Sequence, residues 1–157
     1  PVTGEIDIRI ASDGTWYHEG DPILRQPLVR LFASVLWREG DNYFLVTPVE
    51  KVRIKVDDAP FLVVDVSYLN NADGPVIQFT TLTGELFSLD AQHPLRIVHG
   101  EDAEPRPYVR VRRNLEALVH RNVFYSLVNH ALESLSGGDE LMVRSAGETF
   151  SLGRIED

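Results

Sequence analysis

Two stretches of helical periodicity interrupt a chain whose other ordered segments are short strand-like runs, several alternating apolar and polar residues, separated by turn residues. That combination restricts it to an α+β fold. Leu28, Leu31, Phe32, Val35 and Leu36 recur at i, i+3, i+4, i+7 and i+8, with Arg30, Ser34 and Arg38 off the stripe. Phe124, Leu127, Val128, Ala131 and Leu132 repeat the spacing. Pro27 suits a first helical position, where a missing N–H is harmless, and Gly40 suits the left-handed residue after a last turn. Leu31, Phe32, Val35, Leu127, Val128 and Leu132 are therefore expected to be buried.

Strands surround both helices. Ile6, Ile8 and Ile10 alternate with Asp7 and Arg9, Ser12-Asp13-Gly14 turns, and Thr15 to His18 returns. After Gly40-Asp41-Asn42 a meander runs through Tyr43–Thr47, Val52–Val56, Phe61–Leu69, Val76–Thr81 and Glu85–Leu89. Asp65, inside the apolar run at 61–66, must face water or meet an arginine such as Arg53. The acidic, proline-bearing stretch from Gly100 to Pro107 reads as a linker. Beyond it the pattern returns. Val109-Arg110-Val111 stands for Ile8-Arg9-Ile10, Asn114 for Asp13, Gly138-Asp139 for Gly40-Asp41, and Arg154-Ile155 for Arg53-Ile54. The expected fold is a tandem duplication of a strand-turn-strand-helix-strand-strand unit, with antiparallel sheets each packed by one helix. The expected halves are residues 1–99, with an extended meander, and 100–157.

The 157 residues are 43% apolar, ordinary for a folded chain. The net charge of −9 opposes binding to a nucleic acid polymer or an anionic membrane, both of which need a basic surface. No apolar run approaches the roughly 20 residues of a membrane-spanning helix. No signal peptide is visible, although the start at Pro1 leaves room for a missing leader. The absence of cysteine excludes disulfides and thiolate chemistry and fits a cytoplasmic location. The positive charge is uneven: Arg106, Arg110, Arg112, Arg113 and Arg121 share a stretch whose one acid is Glu116. A basic patch on an acidic protein points to a local anion site.

No phosphate loop, dinucleotide fingerprint, nucleophile elbow or paired-histidine zinc motif occurs. No catalytic residue, metal ligand or cofactor is assigned. His18 with Glu19 and Asp21 reads as a solvated turn before it reads as a metal site, Asp57-Asp58 as turn chemistry, and His130 as a surface residue. Two segments are richer, and both precede a helix. One holds Trp16, Tyr17 and His18, followed by Arg25. The other holds His120, Arg121 and Asn122, followed by Tyr125. Helix N-termini favour anions, arginines hold phosphates, and aromatic rings stack on bases. With Arg110 and Arg112 extending the positive field, these ten residues form a candidate site for a small anionic ligand. The plainer reading puts Trp16 and Tyr17 in the core and makes Asn122 an N-cap.

At Gly14-Thr15-Trp16-Tyr17-His18, Pro22-Ile23, Thr47-Pro48-Val49-Glu50, Asp58-Ala59-Pro60-Phe61, Asn114-Leu115-Glu116-Ala117-Leu118 and Arg121-Asn122-Val123-Phe124-Tyr125, the chain resembles the bacterial domain-of-unknown-function family numbered 1285. The resemblance implies a duplicated α+β core and a second half loosely like a pleckstrin-homology domain. It implies no established reaction, but a role in signal transduction, with a nucleotide-like ligand between the halves and a signalling protein as partner. Two other readings stand beside it. One is a hydrolase-like enzyme using His18, His120 and a carboxylate such as Glu50. The other is a structural protein that docks partners on an exposed strand edge.

Overall fold

The computed structural model describes residues 2–100, 104–135 and 138–155. Strands β1 (Val2–Ile10), β2 (Trp16–His18) and β3 (Asp21–Pro22) lead into helix α1 (Gln26–Ser34), followed by β4 (Leu36–Glu39), β5 (Asn42–Val46) and β6 (Glu50–Val56). They form one sheet in the order β3-β2-β1-β6-β5-β4. The chain then passes through residues 57–60 into β7 (Phe61–Asn71), β8 (Gly74–Thr81), β9 (Leu86–Ser88), β10 (Leu95–His99), β11 (Pro105–Arg112) and β12 (Leu115–Val119). Their order is β10-β11-β12-β7-β8-β9. Helix α2 (Arg121–Glu133) and the hairpin of β13 (Glu140–Ser145) and β14 (Glu148–Arg154) close the chain.

The duplication is plain in the sheets. Each is a three-stranded meander, a crossover and a second three-stranded meander whose last strand returns parallel to the first, β6 beside β1 and β12 beside β7. The sheets are therefore mixed, with one parallel pair each, where antiparallel sheets were expected. The strand-turn-strand-helix-hairpin order also occurs twice along the chain, at β1 to β5 and at β11 to β14. The sheets repeat in a different phase, however: β7 to β12 match β1 to β6. Ile8, in β1, is thus equivalent to a position in β7, and Val109, in β11, to one in β5. The boundary expected at 99/100 falls between β10 and β11, which pair along Leu95–His99. The passage between sheets lies at residues 57–60.

Part of the expected linker is strand. Pro105 and Pro107 fix an extended backbone, and their missing N–H groups are harmless there because β12 begins to pair with β11 only at Tyr108. The rest of that expectation, at residues 101–103, lies outside the described residues.

α1 is shorter and turned from expectation. It ends at Ser34, and Leu36 is buried in β4. Gly40 does not cap the helix. With φ 60° it closes the two-residue β4–β5 turn between Glu39 and Asn42. Gly138 has no matching role, because the β13–β14 turn uses Ala146 and Gly147, at φ 53° and 79°. α1 buries Val29 and Ala33, while Leu28 and Leu31 stay exposed and Phe32 and Val35 are half-buried. Val29, Phe32, Ala33 and Leu36 also follow i, i+3, i+4, i+7, so the true stripe is the adjacent one, and its small Ala33 lets the helix sit close. α2 buries Val123, Phe124, Leu127 and Ala131 against β7 and β13, leaving Val128 half-buried and Leu132 exposed. A helix following a sheet fits the second half that the family resemblance implies.

One contiguous core joins both halves, with Ile8, Ile10, Trp16 and Ala33 in the same cluster as Val63, Phe79, Val109 and Leu127. The β11–β12 turn latches the sheets together. Arg113, held at φ 50°, donates to the Leu36 carbonyl at 2.9 Å. Asn114 and Arg38 exchange side-chain-to-backbone bonds of 3.1 and 3.2 Å. The last hairpin is stitched on by buried Ser145, whose hydroxyl donates to Leu89 O at 2.6 Å and accepts from Ile77 N at 2.8 Å.

The passage between sheets is not simply a solvated turn. Asp57 pairs with Arg9 in the open, but Asp58 accepts a 2.7 Å bond from the Tyr108 hydroxyl, and its other oxygen is buried with no hydrogen-bond partner among the described residues. Burial first, then the bond to Asp58 and its charge, push the Tyr108 phenol up to about 12. In the unfolded chain that phenol ionises near pH 10. Its contribution to stability is thus complete below about pH 10 and is lost as the pH rises through about 12. Absorbance titration of the phenolates is expected to show a late-ionising tyrosine that Tyr108→Phe removes, together with part of the alkaline loss of stability. Asp65 settles the alternative left by the sequence: it is exposed and accepts from the Val66 N–H at 2.9 Å, while Arg53 bonds Asn42.

Candidate functional site

The ten sequence-derived site residues do not converge. Alternation in β2 sends Trp16 and Tyr17 to opposite faces. Trp16 is 2% exposed and stacks on Phe32 with ring centroids 6.2 Å apart, so it belongs to the core. Tyr17 is half-buried, with the Arg9 guanidinium 4.6 Å from its ring centre. Arg25 is the exposed N-cap residue of α1 and makes no side-chain cap. Arg110 is exposed on β11, across from Glu116. Arg112 is half-buried and turned back onto the protein, donating to the Ala33 carbonyl of α1 and lying 5.2 Å from the Phe61 ring centre. Burial lowers its pKa. His120, not Asn122, caps α2: its Nδ1 accepts from the Asn122 N–H at 3.1 Å, which places the proton of the neutral ring on Nε2.

Among the described residues, five cavities of 230–620 Å³ are each lined from within residues 1–59 or from within residues 60–152. The expected cleft between the two pre-helix segments is therefore absent from them: His18 lines one cavity, and Arg121 with Tyr125 another. The physical reason is the phase of the repeat. The segments before α1 and α2 do not occupy equivalent places in the sheets, so no two-fold axis brings them face to face.

The cavity at Arg121 has the more informative chemistry. It holds about 620 Å³ between β11, β12 and the start of α2. Arg106 and Arg121 supply guanidinium groups, and neither forms an ion pair or side-chain hydrogen bond among the described residues. Pro107, Leu118 and Phe124 give apolar walls, Tyr125 a ring 55% exposed, and Glu104 an acidic rim. The first N–H groups of α2 add the positive pole of a 13-residue helix. Arg121 and Tyr125, four residues apart, share one face of the helix, as i, i+4 neighbours must. Sequence reasoning missed Arg106 as a site residue because its flanking prolines read as linker. Its place in the basic stretch was the available signal.

A second, shallower cavity of about 440 Å³ adjoins the first through Tyr125 and contains Asn122. Its floor is Tyr68, on which His130 stacks with ring centroids 4.2 Å apart and to which Ser126 is hydrogen-bonded at 2.7 Å. His130 is thus half-buried by an aromatic partner rather than a bare surface residue. Burial raises the Tyr68 pKa.

Residues 1–59 match the model of the N-terminal domain of DUF1285, a domain of unknown function, and residues 60–152 match that of its C-terminal domain. The chain belongs to the DUF1285 family. The division between the two models falls at the passage between the two sheets. The crystal structure of a DUF1285 family protein from Silicibacter pomeroyi DSS-3 is similar at 44% identity and a TM-score of 0.88, covering 99% of this chain and 84% of that one. A DUF1285 family protein from Shewanella baltica OS155 is similar at 32% identity and a TM-score of 0.62, covering 78% of this chain and 90% of that one. No curated protein matches the chain. The DUF1285 assignment carries no reaction.

The hydrolase-like grouping of His18, His120 and Glu50 is not assembled. The three stand on separate elements with no hydrogen bond among them, and His120 is committed to its cap. The His–carboxylate contact that forms among the described residues, His93 Nδ1 to Asp90 Oδ1 at 2.8 Å, closes a turn in which Asp90 also accepts from two backbone N–H groups. Among the described residues no group of three or more His, Cys, Asp or Glu could hold a metal ion, and no helix is long and apolar enough to cross a membrane.

Proposed function

We propose that this DUF1285 protein is a binding module for a small, nucleotide-like anion, seated in the cavity at the N-terminus of α2, with a role in signal transduction. The observation that carries the reading is the pairing, in one cavity of about 620 Å³, of two guanidinium groups without partners among the described residues and an exposed tyrosine ring. Arg106 and Arg121 would take the phosphate through forked hydrogen bonds, helped by the helix pole. Tyr125 would stack on the ring of the ligand, and Leu118 and Phe124 would cover its other edge. In this reading the site lies within the second half rather than between the halves. Occupancy would order Tyr125 and the adjoining Tyr68–His130 face, the surface a signalling protein would read.

The test is calorimetry with a panel of nucleoside mono-, di- and triphosphates. Binding is expected to weaken with added salt, because the arginines are open to solvent. Arg121→Ala should cost about 1.5 kcal/mol, roughly tenfold in affinity, the lower end for a hydrogen bond to a charged group. Arg25→Ala should leave affinity unchanged. No heat with any nucleotide, or equal binding by the native protein and Arg121→Ala, would reject the reading.

A further inference from the structure

A second cavity carries the opposite chemistry. It holds about 410 Å³ between the β1–β2–β3 edge of the first sheet and α1. Ile8, 2% exposed, gives it an apolar floor, and Ile23 and Phe32, both packed on the core, supply walls. Its polar lining consists of His18, Glu19 and Asp21, with no lysine or arginine. None of these three side chains makes a hydrogen bond or ion pair among the described residues. Glu19 is the first residue of the two-residue β2–β3 turn and Asp21 the first residue of β3; Asp21 pairs with His18, and the Glu19 N–H is fixed to the Asp7 carbonyl at 3.0 Å.

We propose that this cavity binds a small primary amine: an ammonium group on an aliphatic or aromatic body of about leucine size. An apolar body would gain from leaving water against Ile8, Ile23 and Phe32. A neutral ligand would find no use for the acidic rim, and an anion would be repelled by it. An ammonium group offers three donors, which match Glu19, Asp21 and a neutral His18 ring as acceptors. The site is independent of the nucleotide cavity, since the two share no residue.

The probes are n-hexylammonium chloride, 1-hexanol and sodium hexanoate, equal in body and different in charge. Each is titrated into the ¹⁵N-labelled chain and followed by amide shifts. Hexylammonium is expected to give saturable shifts centred on residues 18–23 and 28–32. Hexanol should bind about tenfold more weakly, since two exposed carboxylates contribute about threefold each, and hexanoate more weakly still. The double variant Glu19→Gln/Asp21→Asn keeps shape and fold, and should bring hexylammonium down to the affinity of hexanol. Hexanol or hexanoate binding as tightly as hexylammonium, an unchanged affinity in the double variant, or the absence of saturable shifts in these segments would overturn the assignment.

Discussion

Replacing Trp16 with alanine is expected to destabilise the fold by about 3–5 kcal/mol, the range for removing a large aromatic side chain from a packed interior. The indole is 2% exposed, lies among Ile8, Ile10 and Val29 in the shared core, and stacks on Phe32 of α1. It is the wedge that fixes the helix against β2. Its loss leaves a void that a short helix cannot fill without sliding off Ala33. Urea unfolding of the native chain and the variant, compared at unchanged slope, measures the cost. Trp16→Phe keeps most of the volume and should cost under about 1.5 kcal/mol. Trp37, the other tryptophan, is 40% exposed and hydrogen-bonded to Glu39 at 3.0 Å, so the buried fluorescence should disappear with Trp16. A cost below about 1 kcal/mol would remove Trp16 from the core and return it to the candidate ligand-stacking residues.

Trp16 also marks what could be read from the sequence. The plain reading of that residue as core was available and correct, as were the separate strands between Tyr43 and Leu89, though they divide between two sheets at residues 57–60 instead of forming one meander, and the Asp13 turn, where Thr15 N donates to the Asp13 carboxylate at 3.0 Å. These depend on local chemistry: alternation, glycine at positive φ, and short polar side chains in turns. α1 was harder because Val35 and Leu36 satisfy a helical period and a strand period at once, and pairing of Leu36 with Leu45 decides in favour of the strand. The duplication was legible as a recurring pattern, but its phase depends on which distant strands pair, and nothing local encodes that β6 returns beside β1. The site divides along the same line. That Arg121 and Tyr125 share one cavity at the start of α2 was legible because a helix start and an i, i+4 spacing are local facts. Arg106 joins them only because β11 runs past the start of α2, and Trp16, Arg110 and Arg112 leave them because their strands carry them elsewhere.

Arg112 is the residue whose chemistry the sequence identified and whose place it could not. Its guanidinium crosses from β11 to the last turn of α1, donates to the Ala33 carbonyl, rests against Phe61 and lies 3.9 Å from Glu85. The Glu85 carboxylate accepts hydroxyl donors from the buried Thr81 and Thr83. The two charged side chains are 31% and 21% exposed, against 41% for each partner of the Arg9–Asp57 pair, so removing Arg112 strips a half-buried carboxylate of its cation and an α1 carbonyl of a charged donor. Arg112→Ala is expected to cost about 2–3 kcal/mol, below the roughly 3–5 of a fully buried pair because solvent still reaches both groups. Arg9→Ala should cost under about 1 kcal/mol. Arg112→Lys should recover part of the loss, since a lysine can approach Glu85 but lacks the planar fork that also reaches the carbonyl. The decisive measurement is a double-mutant cycle by urea unfolding with Glu85→Gln. A positive coupling energy is expected, because the hydroxyls can serve a neutral amide but not an unpaired carboxylate as well as Arg112 does. Additive losses would mean that Arg112 and Glu85 do not support each other and that the cost of Arg112→Ala lies in its bond to the Ala33 carbonyl and its packing on Phe61.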